Sequence, residues 1–130
     1  MNIRTLQRGL RYCGRVAAVR QTYHVFESEA FFLVLSFARA RSRRGSGYFN
    51  LVDKTAVDYV RRRVGGTRGV TANDVANMAR RTGHVSTRLV ALNVLYVLVA
   101  LGLASITRSG EHRRLYFAVR KGRGNRRAAG

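Results

Sequence analysis

The sequence predicts an α+β fold, and three observations predict it. Between residues 54 and 101, apolar residues recur at helical spacing in stretches that open on Asp, Ser or Thr and close on glycine. Two short alternating runs, Ala104–Arg108 and residues 114–120, follow and flank Ser109-Gly110-Glu111-His112, residue types that suit a hairpin turn. Before residue 53 the chain is rich in aromatic and β-branched residues, with strand candidates at 23–26 and 30–37. At 130 residues the length is that of one domain, and 46% apolar content is enough for a core.

Residues 2–20 read as a basic amphipathic helix. Arg4, Arg8, Arg11 and Arg15 recur at intervals of 4, 3 and 4, opposite Ile3, Leu6, Leu10, Cys13 and Ala17. Such a helix suits a phosphate backbone, and equally an ordinary packed helix with a solvated face. It also has the acid-free, Arg-rich character of a mitochondrial presequence, though it is poor in serine. No apolar stretch there has the form of a secretory signal.

Glu27-Ser28-Glu29 is a candidate turn between the first two strands, and AFFLVLSF (residues 30–37) is an unbroken apolar run expected to be buried on both sides. Arg39, Arg41, Arg43 and Arg44 lead into the loop Gly45-Ser46-Gly47, with Tyr48 and Phe49 beside it. Those rings either stack on bases or belong to the core. A strand pair, 31–39 with 48–52, would enclose this basic loop.

Asp53 is expected to cap a helix over Lys54–Val64, with Ala56, Val57, Val60 and Val64 inward, Arg61, Arg62 and Arg63 at its C-terminus, and Gly65-Gly66 as its stop. Thr71 and Asp74 have capping-box spacing and start a second helix running to Arg81, which Gly83 ends. Ser86 or Thr87 caps a third, ending at Leu101-Gly102-Leu103. Its wheel carries Ser86, Val90, Asn93, Val97 and Ala100 opposite the core, a face too apolar to read bases along its length. Only its first turn is then expected to reach a groove, the rest being covered by the N-terminal segment or by a second subunit.

Ala79 followed by Gly83, the Ser/Thr cap, Leu95-x-x-Leu98-x-x-x-Gly102-Leu103 and a basic hairpin together resemble the winged helix-turn-helix superfamily. Its members include small basic archaeal and bacterial DNA-binding proteins and a small-subunit ribosomal protein. The resemblance covers residues 52 to about 119, and His84 stands where an apolar residue is usual. It implies three parts: a basic N-terminal extension (1–51), a winged-helix domain (52–119) and an Arg-rich flexible tail (120–130).

The net charge is +19, spread along the chain, and arginine outnumbers lysine 23 to 2. A polyanion partner is expected, because such a field repels itself unless screened and guanidinium groups pair bidentately with phosphate. The primary candidates are Arg80, Arg81, Ser86, Thr87 and Arg88 at the helix–helix turn, and Arg108, His112, Arg113 and Arg114 at the hairpin tip. The tail adds Arg120, Lys121, Arg123, Arg126 and Arg127. Secondary patches are Arg4, Arg8, Arg11 and Arg15; Arg41, Arg43 and Arg44; and Arg61, Arg62 and Arg63.

Six scattered acidic residues, one cysteine and three distant histidines argue against an enzyme, a metal site or a cofactor. The expected function is double-stranded DNA binding, mostly through phosphates, by a cytoplasmic, nucleoid-associated homodimer. A transcriptional regulator and a chromatin protein both fit. The alternatives are a ribosomal protein holding rRNA through Arg-rich extensions, and a membrane-associated protein using Leu89 to Ile106. No small-molecule substrate is expected.

Overall fold

A computed structural model describes residues 9–18, 21–38, 47–108 and 115–121. The fold is α+β. A four-stranded antiparallel meander, β1 (Arg11–Ala17), β2 (Gln21–Glu27), β3 (Phe31–Ala38) and β4 (Gly47–Asp53), forms one layer in the order β1-β2-β3-β4. Three helices follow: α1 (Lys54–Val64), α2 (Ala72–Ala79) and α3 (Arg88–Ala100). A hairpin of β5 (Ala104–Arg108) and β6 (Leu115–Val119) closes the order, and Val70 bridges to Phe117. Helix, turn, helix and hairpin thus occur in the expected order.

The first strand corrects the sequence expectation. Residues 11–17 are a strand, not part of a helix, and residues 2–8, with Arg4 and Arg8, lie outside the described residues. A bulge between Tyr12 and Gly14 shifts the register by one, which places Arg11 and Arg15 on opposite faces rather than in one stripe. Gly14 is required by packing, since a β-carbon there would stand 2.9 Å from the Ala100 carbonyl oxygen.

The pairing of β3 with β4 is as expected, but the apolar run of β3 is not buried on both sides. Phe32, Val34 and Ser36 face inward and are buried, whereas Phe31, Leu33 and Leu35 are only half-buried. Among the described residues no helix packs on the outer face of the sheet.

Residues on both sides of the expected 51/52 boundary share one apolar cluster, Val16, Val25, Val34 and Val52 with Val60, Val75, Leu95 and Phe117. Helix α3 is the reason. It touches α1 and α2 and all four strands of the sheet. Asn93 and Val97, expected on its outward face, are 2% and 0% exposed. The N-terminal sheet covers that face, with Tyr23 stacked on Tyr96 at 4.3 Å between ring centroids. Burial and the neighbouring Tyr23 push the Tyr96 hydroxyl far above the ordinary tyrosine range, so it stays neutral.

The apolar stretch from Leu89 to Ile106 is not one helix either. The chain leaves α3 through Gly102 at φ +76°, Gly102 N–H donating to Val99 and Leu103 N–H to Leu98, and continues as β5. Thirteen residues of helix span about 20 Å against the ~30 Å of a bilayer core. Among the described residues no helix is long and apolar enough to cross a membrane.

The two layers are also tied at the junction of β4 and α1. Glu27 accepts from Lys54 Nζ at 2.8 Å and from the guanidinium of Arg11. Both hydrogen bonds, that of Lys54 first, hold the Glu27 carboxyl below the usual glutamate range. A lowered folded-state pKa gives stability that is complete above the unfolded value of about 4.3 and is lost as the pH falls through the folded one. Glu27→Gln is therefore expected to cost on the order of 1 kcal/mol or less at pH 7 and progressively less as the pH falls below about 4.3, measured by urea unfolding at neutral and acid pH.

Candidate nucleic-acid interface

The turn between α2 and α3 is built by three local devices. Thr71 caps α2 reciprocally: its hydroxyl accepts from the Asp74 N–H at 3.1 Å and the Asp74 carboxylate accepts from the Thr71 N–H at 3.0 Å. The Thr82 hydroxyl donates to the Ala79 carbonyl at 2.8 Å, and Gly83, at φ +76°, turns the chain. Thr87, not Ser86, caps α3 by accepting from the Val90 N–H at 3.1 Å. Asp53 is the N-cap residue of α1, as expected, but its side chain makes no cap bond there.

One apolar residue anchors this turn. Val85 is 1% exposed, while Arg80, Arg81, His84, Ser86, Thr87 and Arg88 around it are all exposed. His84 stacks on Tyr59 of α1 at 4.7 Å, so the polar ring covers apolar surface where an aliphatic residue was expected. Arg80 donates to Asn77 Oδ1 at 3.3 Å. Among the described residues the ion pairs are those of Glu27 with Arg11 and Lys54, so Arg80, Arg81 and Arg88 face no carboxylate. The first turn of α3 holds no acidic residue, and its free N–H groups add a positive end to this cluster.

A second basic place lies beside the hairpin. Arg120 and Lys121 join Arg68 along a shallow groove of about 470 Å³, floored by Gly66, Gly102 and Ser105. The Gly66 N–H donates to the Val119 carbonyl at 2.7 Å, and Gly69 takes φ +70°, which folds the loop against β6. Sequence reasoning missed Arg68, a lone cation between Thr67 and Gly69. The signal was the Gly65-Gly66-Thr67-Arg68-Gly69 turn, which brings a cation toward whatever it packs on.

The secondary patches fare differently. Arg11 is tied to Glu27, and Arg15 is exposed on the outer sheet face. In α1, Arg62 donates weakly to the Asp58 carbonyl at 3.4 Å, Arg63 is exposed, and Arg61 is half-buried with its Nε unpartnered. The tip and tail candidates His112, Arg113, Arg114, Arg123, Arg126 and Arg127, and the loop residues Arg41, Arg43 and Arg44, lie outside the described residues, as does the side chain of Arg108.

The arrangement suits anion contact. Guanidinium groups keep their charge at any physiological pH, and exposed ones bind phosphate at low desolvation cost. Burial raises the Cys13 thiol above its ordinary value. Among the described residues no group of three or more His, Cys, Asp or Glu could hold a metal ion. The chain matches no protein-family model, no curated protein and no solved structure.

Proposed function

We propose that this chain is a winged-helix protein that binds double-stranded DNA, mainly through its phosphates, as a nucleoid-associated transcriptional regulator or chromatin protein. One observation carries the reading: the α2–α3 turn leaves Arg80, Arg81, Thr87 and Arg88 exposed and unpaired with acid, while the remainder of α3 is enclosed. A helix offering only its first turn fits a duplex by its backbone and reads few bases. Arg68, Arg120 and Lys121 supply a further phosphate groove.

The test is a competition titration. Labelled duplex DNA is displaced by unlabelled duplex or by structured ribosomal RNA, with the wild type and with Arg88→Ala. Stronger competition by the duplex, together with loss on Arg88→Ala, supports the reading. Stronger competition by structured RNA with a silent Arg88→Ala places the protein in a ribonucleoprotein instead.

The proposed DNA-binding unit is a homodimer joined through the outer face of the sheet. Tyr12, Phe49 and Leu51 are 52%, 66% and 58% exposed there, beside Phe26, Leu33 and Leu35. The described charged residues on that face are Arg15 and Asp53. On a chain of net charge +19, so uncharged a face suits a second copy better than a nucleic acid. Leu51→Glu sets a buried carboxylate twice into such an interface. It is expected to convert a dimer into a monomer at micromolar concentration by light scattering; a monomeric wild type would refute this arrangement.

A further inference from the structure

Between α3 and the strands β2–β4 lies a half-open pocket of about 320 Å³, within the size range of small-molecule sites. Tyr23, Tyr96, Leu89 and Leu92 wall it, with Gln21, Asn50 and the buried Ser36 and Asn93 among its lining. No described charged side chain lines it.

Asn93 is the unusual member. It interrupts an otherwise apolar stretch of α3 and is 2% exposed. Its Nδ2 donates to the Leu89 carbonyl one turn back at 2.8 Å, which fixes the amide. Its Oδ1 is buried with no hydrogen-bond partner at all. A buried acceptor left unpaired is costly, and a leucine in its place would remove that cost. Tyr96, one turn on, does not relieve it, since no hydrogen bond joins the two.

We propose that this pocket binds a small uncharged aromatic molecule carrying one N–H or O–H donor, whose entry displaces the lining enough to reach the Asn93 Oδ1, an atom with almost no exposed surface in the empty pocket. The absence of lining charge selects against ions, the aromatic walls offer stacking surface, and the single orphan acceptor sets the polarity and orientation of the ligand. The site has a regulatory position, a part of the inference that rests on the proposed DNA binding. Leu89 lies next to Arg88 in the first turn of α3, so an occupant that moves Leu89 changes how that arginine is presented, and by linkage ligand and DNA then affect each other's affinity equally.

The probe is indole, with 1-methylindole as the donor-free control, each titrated into the full chain and followed by side-chain NMR of Asn93 and Tyr96. Indole is expected to bind with a Kd on the order of 1 mM or tighter and to shift the Asn93 amide, with 1-methylindole at least about tenfold weaker. Asn93→Leu, which keeps the volume and removes the acceptor, is expected to abolish that discrimination without loss of thermal stability. Equal binding of the two probes by the wild type, or no perturbation at Asn93 and Tyr96, overturns the site. A separate arm measures duplex affinity with and without saturating indole. An unchanged affinity overturns the regulatory part alone, and failure of the duplex to bind at all counts against the proposed function rather than the pocket.

Discussion

Leu95→Ala is expected to lower the unfolding free energy by about 2–5 kcal/mol, read from urea denaturation followed by circular dichroism. Leu95 is fully buried in α3, the helix that packs on α1 and α2 and on every strand of the sheet. A cavity there loosens both layers, and neither relaxes into it without breaking the other's contacts. Leu89→Ala, at a position 57% exposed, is expected to stay within about 0.5 kcal/mol and serves as the control. Because the sheet and the helices share one cluster, wild type and mutant are each expected to unfold in a single transition. Two separable transitions would contradict the shared core.

Raising monovalent salt from about 50 to 200 mM is expected to weaken duplex binding roughly 10³-fold or more, the loss that accompanies 6–10 phosphate contacts. Fluorescence anisotropy across that range gives the slope of log affinity against log salt. Replacing Arg80, Arg81 and Arg88 together by alanine is expected to flatten that slope by about 3, since each neutralised phosphate contributes roughly one. Arg11→Ala is expected to leave it unchanged, because that guanidinium is already engaged by Glu27. A salt-insensitive affinity would remove the basis for a phosphate-led interface.

Local signals in the sequence located most elements after residue 53. Thr71 with Asp74, Gly83, Thr87 and Gly102 each fix a helix end through bonds to residues at most a few positions away. The hairpin strands and the β3–β4 pair were legible for the same reason. Non-local packing hid the rest. Arg11 and Arg15 mimic a helical stripe, yet the Cys13 bulge and pairing with β2 decide their faces. The run 30–37 looks two-sided because nothing local tells that Phe31, Leu33 and Leu35 on its outer face are only half-buried. Helix α3 is apolar all round because it is enclosed by two layers, a fact that periodicity alone does not reveal. At the proposed interface, the exposed turn follows from its caps, whereas Arg68 joins Arg120 and Lys121 only through the fold of the glycine loop. Asn93 was visible as a polar residue on an apolar helix, but its unpaired oxygen is a property of the assembled layers.

The central position of α3 also sets a problem of timing. During synthesis the sheet is complete at Asp53, but the helix that covers its inner face ends only at Ala100. At bacterial to eukaryotic elongation rates of about 5–20 residues per second, that interval lasts roughly 2–9 s. Throughout it a nascent meander displays Val16, Val25, Val34 and Val52 on one side and Leu33, Leu35 and Leu51 on the other. Such a ribbon is sticky on both surfaces, so the yield of protein made in cells should depend on a holding chaperone at the ribosome more than the finished fold's stability would suggest.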